Sequence, residues 1–174
     1  MEINLIKELI LKQYHFNMQF AERLVEDIPQ ELMSKQAGDG LENHPSFTLG
    51  HLATASAMTA EDLGSTYVIP DGWKNLFQRK GPGDPRKPDP DAASYPSKKM
   101  LLDELKRQHQ KVIEALTLAD DVFLLNSCKW RFDTFFPTIL DLATFMCISH
   151  ESMHLSQLSA WRRAMGFPSA LARL

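Results

Sequence analysis

The stretch Cys147-Ile148-Ser149-His150-Glu151-Ser152-Met153-His154-Leu155-Ser156-Gln157 decides how the rest of the chain is read. Residues four apart stand one above the other on a helix, so His150 and His154 can aim their imidazoles at one point. Two neutral imidazoles beside a free coordination position are how a helix begins to hold a divalent transition metal. The competing reading is a pair of structural histidines on a half-buried helix face. Leu140, Ala143, Cys147, Leu158 and Trp161 continue the same stripe on both sides. Their 3.6-residue spacing predicts one helix from Pro137 to about Met165, stopped by Gly166 and Pro168. On this reading His150 and His154 belong to the inner stripe and face the interior of a bundle.

Three more helices are expected upstream. Leu5, Ile6, Leu9, Ile10, Phe16, Phe20, Leu24 and Ile28 trace a stripe from Asn4 to Ile28, ended by Pro29. His15 sits beside that stripe and reads as a boundary residue. A turn-rich loop follows, and Ser46 or Thr48 is placed to cap a second helix from Phe47 to about Leu63, with Gly64 just past its end. Leu49, Leu52, Ala53, Ser56, Ala57 and Ala60 give it a small-residue face, and His51 stands near its start. Ser97 is placed to cap a third helix running to about Leu118, with Leu101, Leu105, Val112 and Leu116 inside. His109 shares that face and reads as a core or network histidine first. Asp120 to Phe136 reads as an irregular connector.

Between the second and third helices, residues 64–96 hold six of the ten prolines, so no long helix runs through them. A connection of this size ordinarily serves a site or is disordered. Trp73 and Phe77 are apolar anchors suited to a lid over a site, or to contact with a second subunit in a homodimer. The stretch Arg79 to Asp91 is expected to be mobile. The whole chain, 1–174, therefore reads as a single all-α domain, a four-helix bundle with a long crossover loop between helices two and three.

Composition excludes several function classes. A net charge of −3 with interspersed signs leaves no footprint for nucleic acid or an anionic membrane. The N-terminal residues carry acids where a signal peptide is basic, and no apolar run approaches the ~20 residues of a membrane span. Cys128 and Cys147 are the two cysteines, without the Cys-x-x-Cys spacing of a zinc knuckle. A soluble cytoplasmic protein is expected.

Two ligands on one helix need a third from a facing helix. The second helix is the best supplier, because Gly50, Ala53, Ala57 and Ala60 permit close approach. His51 lies near its start, which meets the later half of helix four if the two run antiparallel. His109, midway along helix three, matches that level too, and geometry leaves both open. The residues Phe47-Thr48-Leu49-Gly50-His51-Leu52-Ala53 and His150-Glu151-Ser152-Met153-His154-Leu155-Ser156-Gln157-Leu158, followed by Arg162-Arg163-Ala164-Met165-Gly166-Phe167-Pro168, resemble the signatures of the DinB/YfiT-like superfamily. The entry Tyr95-Pro96-Ser97-Lys98-Lys99 fits the same pattern. That resemblance implies a four-helix bundle with a divalent metal between helices two and four. It assigns His51, His150 and His154 as ligands and leaves His15 and His109 aside. It also implies zinc or nickel as the metal and, for some members, chemistry on low-molecular-weight thiols.

Three histidines leave a position for water or substrate, which is the pattern of a catalytic site. A bound ion would activate a water or a substrate thiolate. The expected function is a divalent-metal-dependent hydrolase or thiol-dependent transferase acting on a small molecule. The alternative is a non-catalytic bundle whose metal serves storage, sensing or stability. Glu151 occupies the place of the general base in His-Glu-x-x-His proteases. After His154, however, no Glu, Asp or His supplies a downstream ligand, so proteolysis is not expected. A neighbouring structural carboxylate is the other reading of Glu151. Trp73, Gln157 and Arg162 are candidate substrate contacts, and Cys147 reads as a small buried hydrophobe.

Overall fold

The computed structural model describes residues 2–81, 84–89 and 91–174. Its helices are α1 (Glu2–Val25), α2 (Pro45–Asp62), the short α3 (Trp73–Phe77), α4 (Lys98–Leu118), the short α5 (Asp121–Leu125), α6 (Ile139–Thr144) and α7 (Glu151–Ala164). Between α6 and α7, Phe145–His150 form a π-helical segment, so 139–164 run as one helix with a widened turn inside it. The long helices make an all-α bundle. The most extensive packing is α2 on α4, while α1 lies against α4, the π segment and α7. Among the described residues there is no strand, and one isolated antiparallel bridge joins Ser127 to Thr138. Among the described residues no helix is long and apolar enough to cross a membrane.

The helix starts show how local chemistry fixes the boundaries. Ser97 accepts a hydrogen bond from the Met100 N–H and caps α4, as its position predicts. Thr138 and Asp141 cap α6 reciprocally, each side chain accepting from the other's backbone N–H. The cap of α2 differs from expectation. His44, not Ser46 or Thr48, holds it: its Nδ1 accepts from the Phe47 N–H at 3.2 Å, and Pro45 follows in the first turn. Ser46 and Thr48 are buried within the helix instead.

Two stripes also differ from the periodic reading. In α1 the buried line is Ile10, Tyr14, Asn17, Ala21 and Leu24, continued by Ile28 just past the helix, while Leu5, Leu9 and Phe16 are exposed. Hydrophobicity misplaces the line because Tyr14 and Asn17 enter the core on hydrogen bonds, to Ser56 Oγ at 3.0 Å and to the Cys147 carbonyl at 3.0 Å. In the last helix the buried line runs Cys147, Glu151, Leu155, Leu158 and Arg162, with Trp161 beside it. His150 and His154 flank this line and are half-buried, because the widened turn rotates the residues that follow it.

Within 64–96, Trp73 and Phe77 are buried with their rings 5.0 Å apart, and they join a core cluster with Phe47, Leu49, Leu101 and Trp161. Of the stretch expected to be mobile, Pro82, Gly83 and Pro90 lie outside the described residues. In the remainder, Asp84 receives Arg86, and Lys87 pairs with Glu42 at 3.2 Å.

Candidate metal centre

His51 comes from the second turn of α2, His150 from the end of the π segment and His154 from the first turn of α7. Their ring centroids lie 4.5 Å (His51–His154), 4.6 Å (His150–His154) and 5.4 Å (His51–His150) apart. Taking one nitrogen from each, all three atoms fall within 4.8 Å of one another, a group that could hold a metal ion. All three side chains are half-buried.

The chemistry of the donor set fits a cation. Burial first, and the neighbouring imidazoles second, push His150 down to about 4 and His154 down to about 2. Burial likewise lowers His51, assisted by the Arg79 charge and opposed by the Phe77 carbonyl. All three are therefore neutral at physiological pH, the form with a lone pair to give. The His51 Nδ1–H donates to the Phe77 carbonyl at 2.9 Å, which leaves the Nε2 lone pair free. An imidazole held by a backbone carbonyl in this way is the usual support of a metal-binding histidine. The buried Nδ1 atoms of His150 and His154 have no hydrogen-bond partner.

Gly50 makes that support possible. A Cβ at Gly50 would meet the Phe77 ring at 2.3 Å, so only a bare backbone lets α3 settle on α2. The sequence reading gave Gly50 to close contact with the last helix; the close contact is with Phe77.

The remaining sequence candidates fall in different places. Glu151 turns away from the three histidines into the core. Its Oε1 meets His109 Nε2 at 2.5 Å, both groups are buried, and burial raises the Glu151 carboxyl above its usual range. The Tyr14 ring stacks on His109 with centroids 3.8 Å apart and planes 4° from parallel. His109 is thus a network histidine, and His15 is exposed on α1. Cys147 is buried, with its thiol pushed up by burial and by Glu151. Gln157 is exposed, and its Oε1 accepts from Asn43 Nδ2 at 3.0 Å. Arg162 commits its guanidinium to the Leu24 carbonyl, to Asp27 and to the Pro168 carbonyl. Trp73 backs Phe77, whose carbonyl holds His51.

The role of the Phe77 carbonyl was not foreseeable, because a backbone acceptor leaves no trace in residue type. The anchoring of Cys147 by Asn17 could have been suspected from a lone amide within an apolar stripe. No curated protein matches the chain. The family model described as the DinB superfamily matches residues 13–158, most of the sequence, and the chain belongs to that superfamily.

Proposed function

We propose that this protein is a divalent-metal-dependent enzyme acting on a small molecule, with His51, His150 and His154 holding zinc or nickel. The observation that carries this reading is the half-exposed triad of neutral imidazoles, with His51 fixed by the Phe77 carbonyl. Three protein ligands match a reactive site; a structural metal site is closed by four. A bound ion would supply Lewis acidity, polarising a substrate group or stabilising a thiolate.

Among the two reaction classes, the surroundings favour thiol-dependent transfer. Hydrolysis calls for a protein base near the attacking water, and the one acid of the motif, Glu151, is turned to His109. Among the described residues no carboxylate forms an ion pair with His51, His150 or His154, and the one histidine–carboxylate pair is His109 with Glu151. A thiol, with an ordinary pKa near ~8.5, needs far less help to ionise than water does. The chain's own contribution is to keep three imidazoles neutral and to hold their orientation.

The test is metal content after dialysis, with turnover against electrophile–thiol and ester panels, for wild type, His51→Ala, His150→Ala and His109→Gln. His51→Ala and His150→Ala are expected to lose the metal and thiol-dependent turnover together, while His109→Gln keeps the metal. Wild-type stoichiometry in His51→Ala would reject the ligand set. Metal that raises thermal stability without turnover in either panel would leave the storage or structural reading in its place.

A further inference from the structure

Two residues beyond α3, Arg79 places its guanidinium over the Phe47 ring, 4.2 Å from the centroid. Phe47 lies one turn before His51 on α2 and stacks on that imidazole with centroids 5.7 Å apart and planes 13° from parallel. Gln157 lies close to one turn beyond His154, and its hydrogen bond to Asn43, just ahead of α2, ties the start of α2 to the middle of α7. Arg79 and Phe47 therefore stand beside His51, and Asn43 and Gln157 beside the turn that carries His154.

Arg79 is also short of partners. It is half-buried, and no described residue gives it a hydrogen bond or an ion pair. The nearby carboxylate, Asp84, is taken by Arg86, with Nε–O distances of 2.9 and 3.0 Å, and by the Lys80 N–H at 2.9 Å. A guanidinium carries five donors in a flat fork, and no Arg79 nitrogen is buried without a partner, so the fork stays open to an acceptor arriving from solvent. Its charge is felt at the site, since it is one of the influences that lower His51.

We propose that Arg79 is the anion-binding residue of this site, pairing with a carboxylate of the substrate whose other end lies against His51, His150 and His154. The inference rests on the metal reading above and names the substrate class within it. One uncompensated guanidinium matches a single negative charge, and its planar fork matches a carboxylate. The Asn43 and Gln157 amides add neutral donors and acceptors, not further cations. Because Arg79 rests on Phe47 and not on an imidazole, the carboxylate and the reacting group of the substrate are several bonds apart.

The experiment uses the full chain loaded with cobalt(II), whose visible bands report both metal binding and entry of a thiolate. Mercaptoacetate, mercaptopropionate and mercaptohexanoate are titrated against mercaptoethanol, mercaptopropanol and mercaptohexanol. In wild type the longest carboxylate is expected to bind about 10- to 100-fold tighter than its neutral counterpart, the range of a charge-assisted hydrogen-bonded pair. In Arg79→Gln that preference disappears while affinities for cobalt and for the neutral thiols stay unchanged; Arg79→Lys keeps part of it. Equal binding of charged and neutral thiols by wild type, or a preference that survives in Arg79→Gln, overturns this inference and leaves the metal reading standing. Failure of wild type to take up cobalt removes the metal reading, and this inference with it.

Discussion

At the scale of single residues, His44 shows how an ionisable group sets a limit on pH. Its Nδ1 caps α2 only while it has a lone pair, and burial keeps it neutral by lowering its pKa from 6.5 to about 4. The folded state thus refuses a proton that the unfolded state accepts between those values. The contribution is complete above the ordinary histidine pKa and is lost as pH falls toward 4, amounting to about 3 kcal/mol at the low end. His44→Asn keeps a capping side chain but does not titrate. Chemical denaturation across this range is expected to give a flatter pH slope for the variant than for wild type, and identical slopes would disprove the role. Residue by residue, much of the site was legible: His150 and His154 from their spacing, His51 from its motif. The partners were not. Nothing in the sequence around Glu151 reveals that it faces His109, forty-two positions away.

At the scale of elements, α3 is five residues long and yet orients a side chain of the candidate metal centre. It sits on α2 because Gly50 leaves room for the Phe77 ring, and from that seat the Phe77 carbonyl reaches His51. Gly50→Ala is expected to destabilise the protein by about 1–3 kcal/mol through overpacking. It is also expected to lower metal affinity by about 10-fold or more, the scale on which losing a ligand's own support is felt. Denaturant melts and competition with a chelator measure the two effects, and wild-type values in both would show that the contact yields easily. The four long helices were readable because their buried residues recur every three or four positions. The π segment was not, since adding one residue to a turn leaves apolar spacing almost unchanged while rotating all that follows. Helix α3 was foreseen only as an anchored segment. Five residues are too few for periodicity to show.

At the scale of the whole molecule, the end of α1 is fastened to the last helix and the C-terminal residues through one carboxylate. Asp27, just past α1, receives Arg162 at 2.5 and 3.0 Å and Arg173 at 2.5 Å. The Arg162 hydrogen bond, its largest influence, holds the Asp27 carboxyl well below the usual carboxylate range. With the folded pKa depressed, this support is present above the ordinary carboxylate pKa and fades as pH drops below it. Asp27→Asn leaves the buried Arg162 with its carbonyl partners but no counter-charge, and is expected to cost about 2 kcal/mol at neutral pH. The mutant's deficit, read from denaturant midpoints, should shrink in acid; a deficit independent of pH would mean that packing, not charge, is lost. The widened turn at Phe145–His150 has a consequence of another kind, one that concerns descent. Loss of a single codon there would restore an ordinary helix and swing every later residue by about 100°. His154, Leu158 and Arg162 would all leave their neighbours at one stroke. The length of this segment is therefore as strict a requirement as the identity of His150 and Cys147 within it, and a deletion there is costlier than most substitutions.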